Sequence, residues 1–480
     1  MKEKSKNKRR KALIGKPYII VSYLFFGMFL GMIGYMIYFK VCKSDTFANN
    51  LYNKRQNKYE KNIVRGSILA SNGTVLARTD SDKEGKEFRV YPYNNLFAQV
   101  VGYCDHGSSG LEASENYTLR SSHVDILEKL QNNFWDKKNK GDNLVTSLDI
   151  RLQQAASNAI GYNRGAVIVM NTKTGKVLAD VSKPDFNPNT IARNWELLNK
   201  EESGSPFLNR ALQGQYPPGS TFKIVTSLAY LRKYGTFDNF FFNCSGKYTQ
   251  GGYTIHCNEN IAHRKENFAD AFANSCNCAF SNIATQLLDK NSLESTANAL
   301  HFNESFPIGL LSVKSFFALE NSTADGLTMQ TSIGQGNTLI SPVHMAMIVG
   351  AVANGGRMME PSFVKQVEVY NGTIVKQIAP KSLGQVMTPE EAYQLTELMK
   401  GVVQRGTATD DLSSFPYDIA GKTGTAEYGS KEKGTAHSWF VGFSNTGNSD
   451  IVVAVIVENG GDKSHPATLV ARSIFETYFS

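Results

Sequence analysis

Residues Tyr18 to Phe39, YIIVSYLFFGMFLGMIGYMIYF, form an uncharged run of 22 residues bounded by Lys16 and Lys40. At about 1.5 Å per residue such a helix is roughly 33 Å long, enough to cross the hydrocarbon core of a bilayer. The sixteen residues before it, MKEKSKNKRRKALIGK, hold eight Lys or Arg against one Glu, so they account for seven of the chain's formal charge of +8. Basic residues stay on the cytoplasmic side, which puts the N-terminus inside and residues 41–480 outside the cell membrane as a single-pass protein. The remainder of the chain is almost neutral, so the basic balance is a property of the tail and no nucleic-acid partner is expected. A cleaved signal peptide has a shorter apolar core and an A-x-A-like site, and KVCKSDTFANN offers none. Nor is Cys42 preceded by the small residues of a lipidated cysteine. The run reads as an uncleaved anchor.

Four parts are expected: a cytoplasmic tail over 1–16, an anchor over 17–40, a membrane-proximal domain over 41–140, and a catalytic domain over 141–480. Hydrophobic content of 41% and charged content of 20% suit folded domains of this size. Residues 41–65 are polar and aromatic and read as a helix leading off the membrane. Arg65–Ala77, RGSILASNGTVLA, reads as a hairpin about Asn72-Gly73, and Gly165–Ser182 as another about Thr174-Gly175. SPVHMAMIVGAVANGG is an apolar helix closed by glycines. HSWFVGFSNTGNSDIVVAVIVENG reads as two adjacent antiparallel strands, followed by a last helix. Strands at both ends with helices between imply an α+β domain whose sheet is built by its terminal segments.

The chemistry centres on QYPPGSTFKIV, residues 215–225. Pro218 and Gly219 turn the chain into an apolar helix with Ser220 at its N-terminus and Lys223 three positions on. Positions i and i+3 share a helix face, so the amine reaches the hydroxyl. A desolvated lysine loses its proton more readily and becomes a base for its neighbour. S-x-x-K alone is common, and a capping serine with a surface lysine gives the same pattern. Two further motifs follow in order: Ser275-Cys276-Asn277 in ANSCNCAF and Lys422-Thr423-Gly424-Thr425 in AGKTGTAEYG. The ordered set S-x-x-K, S-x-N, K-T-G is the signature of acyl-serine enzymes acting on penicillin and peptidoglycan peptides.

The surrounding sequence resembles the class B penicillin-binding proteins over nearly its whole length. RGSILASNGTVLA is similar to that family's membrane-proximal motif, GSSGLE to its Gly-Leu-Glu element, and LVTSLDIRLQQAA to the entry of its transpeptidase domain. NRALQGQYPPGSTFK, IGQGNTLISPVHMA and VVQRGTA resemble the stretches around the catalytic motifs. The short extracellular arm and the S-C-N triplet resemble the smaller elongation or sporulation members. The resemblance implies the penicillin-binding transpeptidase and serine β-lactamase-like fold, an antiparallel sheet flanked by helices. It implies a D,D-transpeptidase that cross-links peptidoglycan stem peptides ending in D-Ala-D-Ala and binds β-lactams covalently. Ser220 would be the nucleophile and Lys223 its base. Ser275 and Lys422 would complete the proton network, and Asn277, Thr423 and Thr425 would bind substrate. Gly424 would let substrate approach the strand, and the N–H groups of Ser220 and Thr425 would form the oxyanion hole. The implied partner in the membrane is a polytopic glycan polymerase, and no metal or cofactor is implied.

Several alternatives share parts of this pattern. A β-lactamase needs a deacylating base, and the only E-x-x-N pair weighed, Glu196 and Asn199, precedes Ser220. A D,D-carboxypeptidase shares the chemistry, but the anchor and membrane-proximal motifs favour the transpeptidase. A penicillin sensor needs signalling machinery that sixteen basic residues do not supply, and a silent scaffold does not need all three motifs. Of the six cysteines, Cys244 and Cys257 are compatible either with a disulfide or with two buried thiols. A zinc site that adds His256 or Cys276 and Cys278 is disfavoured because no pair has C-x-x-C spacing.

Overall fold

The computed structural model describes residues 2–40, 62–320, 323–428, 436–444, 451–461 and 465–480, with side chains from residue 18 onward. Cys42 and nearly all of the expected polar helix, residues 41–61, lie outside them. Helix α1, Lys2–Tyr38, contains the apolar run, and no part of its apolar window is covered by the rest of the chain. Phe25, Phe29 and Tyr35 are each more than half exposed on it. It is one helix long and apolar enough to cross a membrane, consistent with single-pass anchoring.

Strands β1 (Ile68–Leu69) and β2 (Val75–Ser81) form the expected hairpin, antiparallel about a turn in which Gly73 has φ +84°. Its closing bond is Ala70 N–H to Thr74 O at 2.8 Å. Strand β3 (Glu87–Val90) pairs with β2 on one side, and β4 (Asn143–Thr146) runs parallel to β1 on the other. Val364–Glu368 and Ile374–Gln377 complete this six-stranded sheet, which therefore draws strands from both sides of residue 140.

Helix α2 (Ile150–Ile160) starts at Asp149, whose carboxylate accepts from the N–H groups of Arg151 and Leu152. It leads into β5 (Gly165–Asn171) and β6 (Val177–Lys183), the second expected hairpin. Among the segments between these strands and the rest of their sheet are α3 (Lys223–Tyr234), α4 (Asn277–Asn282) and α5 (Pro342–Ala353). The sheet is completed by β7 (Ile419–Glu427), β8 (Ala436–Ser444) and β9 (Ile451–Val457), in the order β7-β8-β9-β5-β6 and antiparallel throughout. The terminal segments build it, as their pattern predicts.

All seven residues of β9 are buried, because both faces of the sheet are covered. Helices α2 and α6 (Pro466–Phe479) pack on one face and α5 on the other. Residues Pro342–Val352 of α5 are all buried, which is why that helix is apolar around its circumference. Strand β7 stands at the sheet edge. That edge faces α3.

The membrane-proximal part is held by a buried ion triad. Glu112, fully buried, accepts from Arg65 Nε at 2.6 Å and from Arg89 Nε at 2.7 Å. Burial alone would raise the Glu112 carboxyl, yet the two guanidinium groups hold it below its ordinary value. Arg65 belongs to the R-G motif and Glu112 to the Gly-Leu-Glu element, 47 residues apart in sequence. Removing one partner of a buried pair strands the other charges. Glu112→Ala is therefore expected to destabilise the detergent-solubilised chain by about 3–5 kcal/mol, measured by chemical denaturation. A loss below about 1 kcal/mol would place the triad with the weak surface pairs.

Candidate active site

The chain reaches Ser220 through a tightly held turn. Tyr216 exchanges two backbone bonds with Ile340, and Trp439 Nε1 on β8 donates to Pro217 O at 3.1 Å. Gly219 then adopts φ +55°, and its N–H donates to Gly334 O at 2.8 Å. A Cβ built on Gly219 would lie 2.5 Å from the carbonyl oxygen of Thr425. Glycine is thus required both by conformation and by contact, and it lays Ser220 against the edge strand β7. Gly219–Phe222 form a 3-10 turn, and the α-helix begins only at Lys223, later than the sequence reading had it. Three-residue turns of this type are usual at helix starts.

Lys223 and Lys422 are both wholly buried. Lys223 Nζ lies 3.1 Å from Ser220 Oγ, 2.6 Å from Ser275 O, 3.1 Å from Ser275 Oγ and 2.8 Å from Asn277 Oδ1. Lys422 Nζ donates to Ser275 Oγ at 3.0 Å and to Thr423 O at 3.1 Å. Five of the expected site residues therefore meet around two amines. Phenylalanine rings wall them, Phe280 at 5.4 Å from Lys223 Nζ and Phe272 at 5.7 Å from Lys422 Nζ. Burial pushes the Lys223 amine down to about 8. Burial first, and the neighbouring Lys223 second, push Lys422 well below its ordinary value.

The acceptors around Lys223 decide how its hydrogens are used. Ser275 O and Asn277 Oδ1 can only accept, and they make the two shortest contacts. Asn277 is oriented unambiguously, since its Nδ2 donates to His256 O at 3.0 Å. A neutral amine gives its two hydrogens to these oxygens and turns its lone pair toward a hydroxyl. Ser275 Oγ already receives a hydrogen from Lys422. Ser220 Oγ–H is then free to donate to Lys223. Ser275 itself holds φ +56°, an uncommon conformation for a residue with a side chain, which aims its carbonyl and hydroxyl at the same amine.

The K-T-G residues lie along β7. Thr423 is buried and hydrogen-bonds through its hydroxyl to Thr407, whereas Thr425 is exposed on the open side of the edge. A Cβ on Gly424 would come 3.0 Å from Thr221 Cγ2 and 3.1 Å from Trp439 Cβ. The close approach at Gly424 is thus between the strand and the serine turn. Thr407 lies in the VVQRGTA stretch, separated from the K-T-G strand by the short helix Thr409–Leu412, and that stretch carries no signal for its contact with Thr423. Glu196 sits on a short helix whose Ile191 packs with Tyr103 and Phe186, in a cluster apart from the main core.

Of the two forms open for Cys244 and Cys257, the structure has the buried thiols. Cys104, Cys244, Cys257, Cys276 and Cys278 are all thiols, and Cys244 Sγ lies 3.6 Å from Cys257 Sγ without a bond. Although no C-x-x-C spacing exists, Cys244, Cys257, His263 and Cys276 converge, with their ligand atoms all within 4.8 Å of one another. His263 takes the part the sequence reading considered for His256.

Residues 165–476 match the pattern described as the penicillin binding protein transpeptidase domain, and residues 65–144 the penicillin binding protein A dimerisation domain. The peptidoglycan D,D-transpeptidase PbpA of Mycolicibacterium smegmatis is 30% identical over 460 residues, covering 88% of this chain and 90% of that one. The peptidoglycan D,D-transpeptidase MrdA of Acinetobacter baumannii is 27% identical over 456 residues, covering 81% and 65%. The imipenem acyl-enzyme complex of penicillin-binding protein A from M. tuberculosis superposes with a TM-score of 0.80 at 28% identity, covering 88% of this chain and all of that one. Matched in both its membrane-proximal and its catalytic parts, the chain belongs to the class B penicillin-binding proteins, the serine acyltransferases of the peptidoglycan D,D-transpeptidase family.

Proposed function

We propose that Ser220 is the residue acylated by substrate and by β-lactams, and that Lys223 is its base. The observation that carries this reading is the wholly buried Lys223 amine, 3.1 Å from Ser220 Oγ and surrounded by neutral oxygens. Ser220 Oγ attacks the carbonyl of the penultimate D-Ala of a stem peptide while its proton passes to Lys223. The amide C–N bond breaks, and the departing D-Ala amine takes a proton relayed through Ser275. Lys422 polarises Ser275 for that relay. An amine of a neighbouring stem peptide then attacks the ester, forms the cross-link and frees Ser220. The N–H groups of Ser220 and Thr425 serve the oxyanion, Asn277 the substrate backbone, and Thr423 and Thr425 its carboxylate. Gly424 keeps the serine turn close to the strand. In a β-lactam the broken bond lies within the ring, so no leaving group departs and the adduct persists.

Ser220→Ala is expected to abolish labelling of membranes by a fluorescent penicillin, and mass spectrometry of the wild type to find the adduct on Ser220 alone. An adduct elsewhere would remove the assignment. Lys223→Arg is expected to slow acylation about 10²–10⁴-fold, the usual loss for a general base, because a guanidinium keeps its proton at working pH. The reactive form of Lys223 is neutral, so the acylation rate should rise with pH and level off above about 8. A rate that falls across that range would exclude a neutral lysine base.

We also propose that α1 pairs with a polytopic glycan polymerase and that the N-terminus is cytoplasmic. Gly27 and Gly31 lie one turn apart, and neither has any atom within 4 Å of the position a Cβ would take. Such a small-xxx-small strip lets a second helix approach closely. Changing both glycines to Leu is expected to leave penicillin acylation unaltered and to impair wall synthesis in cells. Normal growth or sporulation would reduce α1 to a tether.

A further inference from the structure

The outer edge of β7 is closed at one point by a side chain. The Gln335 amide nitrogen donates to Glu427 O at 3.2 Å, and its oxygen accepts from Glu427 N–H at 3.1 Å. The orientation of the amide follows from this pair, because a carbonyl oxygen only accepts and a backbone N–H only donates. These are the two bonds that one residue of a neighbouring antiparallel strand would make. Gln335 thus stands in for a single residue of a further strand. The loop that carries it is fastened to the serine turn. Gly334 N–H donates to Thr331 O at 3.0 Å and Gln335 N–H to Gln330 O at 2.8 Å, while Gly334 O accepts from Gly219 N–H at 2.8 Å. A Cβ on Gly334 would lie 2.1 Å from Gly219 O, so the two backbones touch.

The parity of the strand says what Gln335 displaces. Residues two apart send their N–H and C=O groups to the same side, and β7 pairs with β8 without a register break from Ile419 to Glu427. Glu427 faces outward to Gln335, so Thr425 and Thr423 face outward as well. Two contacts agree. Lys422 Nζ donates to Thr423 O at 3.1 Å, and a Cβ on Gly219 would fall 2.5 Å from Thr425 O. On the proposed assignment Thr425 N–H serves the oxyanion, and the carboxylate of the departing D-Ala lies at Thr423 and Thr425. The donor then runs antiparallel to β7, with its upstream chain heading toward Glu427. Its penultimate D-Ala pairs with Thr425, and the residue two positions earlier would pair with Glu427. Gln335 already holds that place.

We propose that Gln335 is a specificity-determining residue that ends the substrate-binding edge of β7 after Thr425, so that a donor is recognised through its last amide and its carboxylate while the chain upstream is turned off the strand. The inference rests on the assignment of Ser220 and its oxyanion hole. A peptide that displaced Gln335 would exchange two hydrogen bonds for two and gain nothing, at the entropic cost of ordering its own backbone. A linear, α-linked peptide therefore has no advantage here over a short acyl-D-Ala. The site suits acyl donors whose chain branches or bends away after one amide. Because Gly334 is bonded to Gly219, the residue that sets this limit keeps a fixed position relative to the nucleophile.

The test compares two thioglycolate thioesters as donors to the full-length chain in detergent, with thiol release followed in time and the acylated residue located by mass spectrometry. N-acetyl-D-Ala carries one amide, whereas N-acetyl-Ala-Ala-D-Ala is long enough to reach Glu427. In the wild type their kcat/KM values should agree within about threefold, since the longer donor makes no further strand bonds. N-methylation of the first Ala removes the hydrogen that Glu427 O would accept, and should change the wild-type value by less than about twofold. Gln335→Ala should raise kcat/KM of the longer donor relative to the shorter by about tenfold, through KM, as two hydrogen bonds are gained, and N-methylation should cancel the gain. A wild type that loses about tenfold on N-methylation already pairs its donor with Glu427, which would overturn the proposal without any variant having to fold. A Gln335→Ala chain in which both donors fall together would overturn it too, because a residue that only holds the loop behaves so. If neither donor acylates Ser220, the Ser220 reading fails and this inference with it. Acylation of Ser220 with the ratio unmoved sinks this inference alone.

Discussion

Everything at the centre of this protein depends on a buried lysine whose direct hydrogen-bond partners are all neutral oxygens. A fully buried ammonium opposed only by neutral oxygens is costly, and a carboxylate partner would remove the cost by keeping the proton in place. Lys223 has instead a carbonyl, an amide oxygen and two hydroxyls. The arrangement supports a neutral amine at modest energetic cost and leaves it willing to accept a proton when the nearby hydroxyl gives one up. Lys422, a second buried amine across Ser275, is itself pushed down, by burial first and by the neighbouring Lys223 second. Much of the surrounding fold serves to maintain this condition. The phenylalanine rings exclude water, β7 brings Lys422 in, and the start of α4 supplies the two obligate acceptors.

The membrane-proximal part obeys the opposite rule. There Glu112 is buried with two guanidinium partners, and the charges are retained because they compensate one another. One buried polar centre holds structure and the other is poised for reaction, and the difference lies in whether a counter-charge is present. The six-stranded sheet carries the mechanical link between the two regions, since β1 pairs with β4 and β4 with Val364–Glu368.

What could be read from sequence was local. The anchor, the hairpins about Asn72-Gly73 and Thr174-Gly175, the apolar α5 and the three motifs each lie within one stretch, where period, turn chemistry and spacing are visible. The five-stranded sheet was legible in outline because its strands are unusually apolar. The parallel pairing of β1 with β4 was not, because a two-residue strand has no period. The partnership of Arg65 with Glu112 spans 47 residues, and only coordinates join them. The sulfur cluster escaped for the same reason: its thiols and imidazole come from separate segments, and only coordinates bring them together. Ser275 presents a related case, as nothing in ANSCNCAF announces a positive φ. Gly424 shows a motif residue whose immediate contact is internal, with the serine turn packed against its strand.

The order β7-β8-β9-β5-β6 has a consequence for the making of the protein. Strands β5 and β6 are synthesised early in the catalytic domain, yet β5 finds its neighbour β9 only after some of the last residues have been translated. Lys422 meets Ser275 across 147 residues of sequence. Contacts this distant close slowly and late, after the loop entropy between them has been overcome. Until β7, β8 and β9 arrive, the emerging chain possesses Ser220 and Lys223 but has no edge strand beside them and no second amine. Without them Lys422 is not beside Ser275 and the serine turn has no strand to pack against. The reactive arrangement is complete only when the segments made last have joined those made first.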